Sequence, residues 1–170
     1  MIDLFTDITN WLTQHPGWLG VTLLLAAFAE SFFVVGVILP GAILLFSLAA
    51  LAGGLGLPIL PLLLWTAVGA SIGDISSFFI GRELEHLFHD RTVRRSWHRH
   101  LDRTHAFLEK WGVLAVVVGR FVGAVRPFLP AVAGAAGMRR RVFILSDLLS
   151  SLAWAPFYIL PGYYSASAFT

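Results

Sequence analysis

The sequence predicts an all-α, polytopic membrane protein whose chain doubles back within the bilayer. Three observations predict it. First, 57% of the 170 residues are hydrophobic, only 13% are charged, and the mean hydropathy is +0.77. Soluble domains carry about 25% charged residues. A domain this small also has too much surface for its volume to hide so much apolar area from water. Second, proline and glycine interrupt the apolar stretches. Third, ionisable side chains stand inside those stretches. The absence of cysteine removes disulfides and thiolate metal sites. The formal charge of +2 is small, and its distribution says more than its sum.

Residues 1–16 come first. Asp3 and Asp7 stand where a cleaved signal peptide would be basic, and no small-residue cleavage site follows an apolar run. Leu4, Phe5, Ile8, Trp11 and Leu12 recur at helical spacing and stop at Pro16-Gly17. This reads either as an interfacial amphipathic helix or as an ordinary first helix packed on the bundle.

The charge-free stretch 31–73 is long enough for two helices of about 20 apolar residues. It also contains Pro40-Gly41, Gly53-Gly54, Gly56, Pro58 and Pro61, so it is not uniform helix. Within lipid, broken backbone is tolerated only where protein or a water-filled cavity covers it, and such breaks point to binding sites. Gly69 and Gly73, followed by Ser76 and Ser77, form a thin helix face suited to close helix packing.

Residues 82–111 hold seven basic and five acidic side chains and five of the six histidines. They read as a polar insert, mostly helical, and their basic excess places them on the cytoplasmic side. Arg139, Arg140 and Arg141 form a second basic cluster, expected on the same face. The segment 112–138 between the clusters then enters and leaves on one side, as a re-entrant hairpin. Gly119, Gly123, Pro127, Pro130, Gly134 and Gly137 agree with that. Residues 142–164 read as a true crossing. Residues 35–53 and 118–137 echo one another, each with a proline-broken centre and an Ala/Gly-rich exit, as inverted repeats in transporters do.

Glu30, Asp74, Arg120, Arg126 and Asp147 are the ionisable residues in apolar surroundings. Each costs about 2.5–3.5 kcal/mol at the bilayer centre on insertion scales, so such residues usually have a role. The competing reading is internal salt bridges that fix the bundle, each arginine pairing with Glu30 or Asp74. Asp147, six residues past Arg141, is the member expected nearest the headgroups. On a continuous helix Arg120 and Arg126 would point about 120° apart. Pro127 disfavours helical geometry at Arg126, and a break there lets both guanidinium groups face one cavity. Guanidinium is permanently charged and grips phosphate oxygens with two parallel N–H bonds. The pair therefore suits a phosphate or carboxylate headgroup. Glu30 and Asp74 are candidates for carrying protons, because burial and a neighbouring arginine pull a carboxyl's proton affinity in opposite directions.

His86 and His89 share a helix face, yet no HExxH or comparable ligand pattern is present, so no metal or other cofactor is expected. The basic residues between 91 and 103 suit anionic lipid at the membrane surface. Nucleic acid is not an expected partner, because the basic excess is small and the context is membrane.

The run Glu30, Pro40-Gly41, Gly69, Gly73-Asp74, Gly81-Arg82, Gly119-Arg120-Phe121, Arg126, Pro130, Ala133-Gly134, Met138, Phe143 and Trp154 resembles the DedA (SNARE-associated, VTT-domain) family. The resemblance covers about residues 20–160. It implies two re-entrant helical hairpins facing each other in the membrane. The first would span 30–56 and turn near Pro40 and Gly41; the second would span 112–138 and turn near Pro127 and Pro130. It also implies lipid transport. Bacterial members are associated with returning polyprenyl (undecaprenyl) phosphate across the inner membrane, several of them with proton-motive-force dependence; eukaryotic relatives are lipid scramblases. By matching motifs, substrate binding falls on Glu30, Asp74, Arg120 and Arg126.

Three departures bear on this. Ala42 stands where the family usually has an acid after Pro-Gly. Gly123-Ala124 replaces a Pro-Gly in the arginine block. Asp147 stands where an asparagine is frequent, which makes it a third proton-coupling candidate beside Glu30 and Asp74. Many members have a further terminal helix after the Trp154 helix, which leaves open whether the chain is a piece of a longer protein.

The expectation is thus a multi-pass inner-membrane flippase for an anionic lipid phosphate, with membrane lipids as partners and a homo-oligomer left open. Alternatives are a proton-coupled transporter of small ions or cations, and a membrane scaffold. An enzyme acting on lipid phosphate is not expected, because all histidines but His15 lie in the polar insert.

Overall fold

The computed structural model describes residues 2–36, 41–83, 106, 108, 110–121 and 126–167. The expected polar insert at 82–111 lies almost wholly outside these residues, as do Pro40 and Gly123-Ala124. The described chain is all helical: α1 Ile2–Gln14, a 3-10 turn Pro16–Trp18, α2 Leu19–Ser31, α3 Gly41–Gly54, α4 Ile59–Glu83, α5 Val113–Gly119, α6 Leu129–Ala135 and α7 Arg140–Ser167.

Helix α1 stops where proline requires. His15 leaves the helical region (φ −128°, ψ 62°) because the Pro16 ring crowds a helical residue before it. Leu12 is buried, while Ile8 and Trp11 are exposed. The Trp11 ring stacks on His15 at 4.6 Å.

Two helices, α4 and most of α7, are long and apolar enough to cross a membrane. With 25 and 28 residues they rise about 37 and 42 Å, more than the roughly 30 Å of a hydrocarbon core. Helix α7 overruns the expected 142–164 at both ends and carries Pro156 and Pro161 inside it. Intramembrane helices tolerate such prolines because neighbouring helices compensate the freed backbone groups. Helix α3, with 14 residues, rises about 21 Å, too short to cross alone, and α5 and α6 have seven residues each.

Both α3 and α6 end on glycine in left-handed geometry, Gly56 (φ 65°) and Gly137 (φ 73°). The next amide in each case reaches back across the helix end, from Leu57 to Ala52 and from Met138 to Ala133, both at 3.1 Å. A side chain at either glycine would be strained, which is why glycine is the usual residue there. These two ends lie 81 residues apart, as do the first residues of the long helices that follow, Ile59 and Arg140.

The short helices pack on the long ones: α3 lies on α7, and α6 lies on α4. Glycine sits at each contact. A side chain on Gly53 would strike the Tyr163 carbonyl, and one on Gly162 the Phe46 carbonyl. Gly134 is likewise closed off by the Phe78 carbonyl and Gly81 by that of Ala131. Between α2 and α4, Gly69 and Gly73 face the carbonyls of Leu24 and Phe28, the close approach their spacing predicts. Ser77 continues that face, and its hydroxyl accepts the Phe33 amide at 2.9 Å. Ser76 does not continue it: both serines donate to their own helix, Ser77 at Gly73 in the interior and Ser76 at Ile72 on the outside.

One core gathers Leu23, Ala27, Leu45, Ala49, Ala70 and Trp154 between α2, α3, α4 and α7. A second holds Phe78, Val116, Leu129, Ala133 and Phe143, with the Phe78 and Phe143 rings stacked 4.3 Å apart. Asp74, Arg120, Arg126 and Asp147 border the second core at Val116, Leu129 and Phe143, and the two arginines lie over Trp154 of the first.

Candidate functional site

Arg120 caps the end of α5 and is only 4% exposed. Its guanidinium donates to Asp74 of α4 and, at 3.1 Å, to Asp147 of α7. It also donates to Ser151 and, at 3.3 Å, to Ser150. Both serine hydroxyls donate in turn to the Asp147 carbonyl, at 2.9 and 2.8 Å, and so are oriented to accept from the arginine. Ser71 of α4 donates to Ser151 at 2.7 Å, tying the two long helices together through the same cluster. A buried guanidinium is tolerated only with such full compensation, because removal from water costs several kcal/mol per ion.

Arg126 is held differently. It lies in the turn before α6 and is partly open, with its side chain 12% exposed. It donates to Glu30, at the end of α2, and at 3.3 Å to Ser31. Its Nε and Glu30 Oε2 are buried without a partner among the described residues. Its guanidinium carbon sits 4.3 Å from the centre of the Trp154 ring, and that of Arg120 sits 5.8 Å from it. Cation–π contacts of this kind contribute about 0.5–2 kcal/mol, more when dry.

Both arginines line one cavity of about 360 Å³ with Glu30, Ala42, Pro127 and Tyr158. A much smaller void, about 10 Å³, links Arg120, Arg126, Asp74 and Asp147, room for about one water.

The helix break thus brings Arg120 and Arg126 to one place, and Glu30 and Asp74 with them. Each arginine is also paired with a carboxylate, as the salt-bridge reading expected. Asp147 is 2% exposed and bonded to Arg120, at the heart of the site. Gly41 lies against the Glu30 side chain, and Pro127 stands in the turn at the cavity wall. Pro130 lies inside the first turn of α6, a place that suits a residue without an N–H.

Sequence reasoning gave no role to Ser71, Ser150, Ser151, Trp154 or Tyr158. A signal was present. Asp147, Ser150, Ser151, Trp154 and Tyr158 follow the i, i+3, i+4, i+7, i+11 spacing of one helix stripe. The histidines of the polar insert lie outside the described residues.

The VTT domain family matches residues 39–164. The chain is 34% identical to the inner membrane protein YabI of Escherichia coli over 95% of its length and 63% of that protein's. It is 34% identical to the protein DedA of Escherichia coli, over 96% of its length and 76% of that protein's. It is 32% identical to an uncharacterised membrane protein of Buchnera aphidicola, over 91% of its length and 62% of that protein's. The chain thus spans about three fifths of the length of several curated relatives it matches. No solved structure matches it.

Proposed function

This chain belongs to the VTT-domain, or DedA, family of membrane proteins, and on that premise we propose that it transports an anionic lipid phosphate across the inner membrane. The substrate the resemblance points to is polyprenyl (undecaprenyl) phosphate. One observation carries the reading: two guanidinium groups, brought together where helices are interrupted, line a cavity wide enough for a headgroup. The tail would stay in lipid, so the protein shelters only the phosphate.

Two re-entrant hairpins related as an inverted repeat fit this reading. Support comes from the short α3 and α6, their equivalent glycine ends, and their packing on α7 and α4. Glu30, Asp74 and Asp147 bring three carboxylates to two guanidiniums. A phosphate entering such a site adds negative charge in a low dielectric, which favours proton uptake by a carboxyl as it binds. Coupling to a proton gradient is part of the proposal. No bond is made or broken in it, and a phosphatase assay on the purified protein tests that.

The deciding experiment is transport of labelled polyprenyl phosphate in proteoliposomes, with and without a pH gradient. We expect transport that the gradient accelerates and that Arg126→Ala abolishes. Unchanged transport in that variant refutes the assignment. The carboxylate excess also favours a second reading, a proton-coupled transporter of small cations. In that case cation flux would persist and lipid-phosphate analogues would not compete with it.

A further inference from the structure

Arg120 is a buried cation and Arg126 a partly buried one, and their bonding differs. Arg120 meets two carboxylates and two hydroxyls. Among the described residues Arg126 has one carboxylate, one serine at 3.3 Å and an Nε without a partner, and it stands at the cavity. Beside these bonds the Arg126 guanidinium carbon lies over the ring of Trp154, 4.3 Å from its centre, and that fully buried ring is braced by Tyr158 at 4.7 Å.

A guanidinium has two kinds of surface. Its faces attract aromatic rings, and its edge carries five N–H donors. Contact through the face uses none of the donors. A ring can therefore fix the position of the cation while its edge changes partner.

We infer that Trp154 is a positioning residue, which holds Arg126 by its face so that the N–H edge can pass from Glu30 to a phosphate group in the cavity. Glu30 occupies the phosphate's place when the cavity is empty of ligand, and among the described residues its Oε2 takes no hydrogen bond. The inference rests on the transport reading and deepens it. The shared chemistry is a phosphate monoester, from a lipid headgroup or from free phosphate.

The test measures binding of farnesyl phosphate, and separately of inorganic phosphate, to the full chain in nanodiscs. Fluorinated tryptophans placed at position 154 alone weaken the ring's attraction for cations at nearly constant volume, so folding is not at issue. We expect affinity to fall stepwise with fluorine number, about three- to tenfold in all. Trp154→Phe should stay within about threefold of wild type and Trp154→Leu should lose about tenfold. In an Arg126→Gln background, which removes the charge but keeps N–H donors at the cavity and so a weaker, still measurable affinity, the fluorination series should be flat, a result that a merely structural role would not give. A stronger response with farnesyl phosphate assigns the site to a lipid headgroup, and an equal one to free phosphate. A flat series with Arg126 present, or a loss independent of Arg126, overturns the inference and leaves the transport reading standing. Wild-type protein that binds neither probe overturns both.

Discussion

Asp147 reaches the guanidinium of Arg120 at 3.1 Å, although 27 residues separate them in sequence. Asp74 holds the same guanidinium from another helix. Either carboxylate alone can keep the charge compensated, but the loss of both strands a buried cation. Asp74→Asn and Asp147→Asn should each cost less than about 2 kcal/mol. The double variant should cost about 3–5 kcal/mol, more than the sum of the two. Unfolding in detergent checks this, and additive losses would show that the two acids act separately.

The two arginines should separate stability from transport. Arg120→Ala leaves Asp74 and Asp147 buried and unpaired, so the melting temperature should drop by the equivalent of about 3–5 kcal/mol. Arg126→Ala leaves one buried carboxylate, Glu30, against the two that Arg120→Ala strands, and removal of the arginine side chain opens it to water from the cavity it lines. Its stability should change by less than about 1.5 kcal/mol, while lipid-phosphate transport is lost. Thermal melts and proteoliposome flux on the same preparations measure both effects.

Close packing makes a third expectation. Alanine at Gly134 or Gly81 must push the carbonyl of Phe78 or Ala131 away, separating α6 from α4. The cost should be about 1–3 kcal/mol in each case. Gly17 has open space around it, so Gly17→Ala should stay within about 0.5 kcal/mol. Similar melting curves for all three variants would contradict the interhelical contacts.

Ala42 is exposed on the cavity wall. Ala42→Phe adds volume to the space a headgroup would enter without disturbing a packed core. Transport should fall at least about tenfold with stability held within about 0.5 kcal/mol. Undiminished transport would place the substrate elsewhere.

Much of this was legible in the chain itself. Apolar composition with few charges gave a membrane protein, because lipid is the solvent in which so much apolar surface is stable. The five ionisable residues in apolar stretches were visible as exceptions, and all five meet at one site. The glycines that end α3 and α6 and the stop before Pro16 follow from local backbone sterics. Local rules reach about one helical turn, so they gave the elements and their breaks.

Partner choice was not legible in that way. Nothing local tells Arg120 to take both Asp74 and Asp147 while Arg126 takes Glu30, because those groups meet only when α2, α4, α5, α7 and the turn before α6 pack together. Trp154 was visible as a residue of the family pattern, but without a role. Its position beside two cations is set by the crossing of helices, which glycine contacts far along the chain permit. The sequence by itself determined which groups are charged, where helices stop and that lipid surrounds them. Only the tertiary structure decided which charge faces which, because electrostatic pairing depends on distance in space, and packing sets that distance.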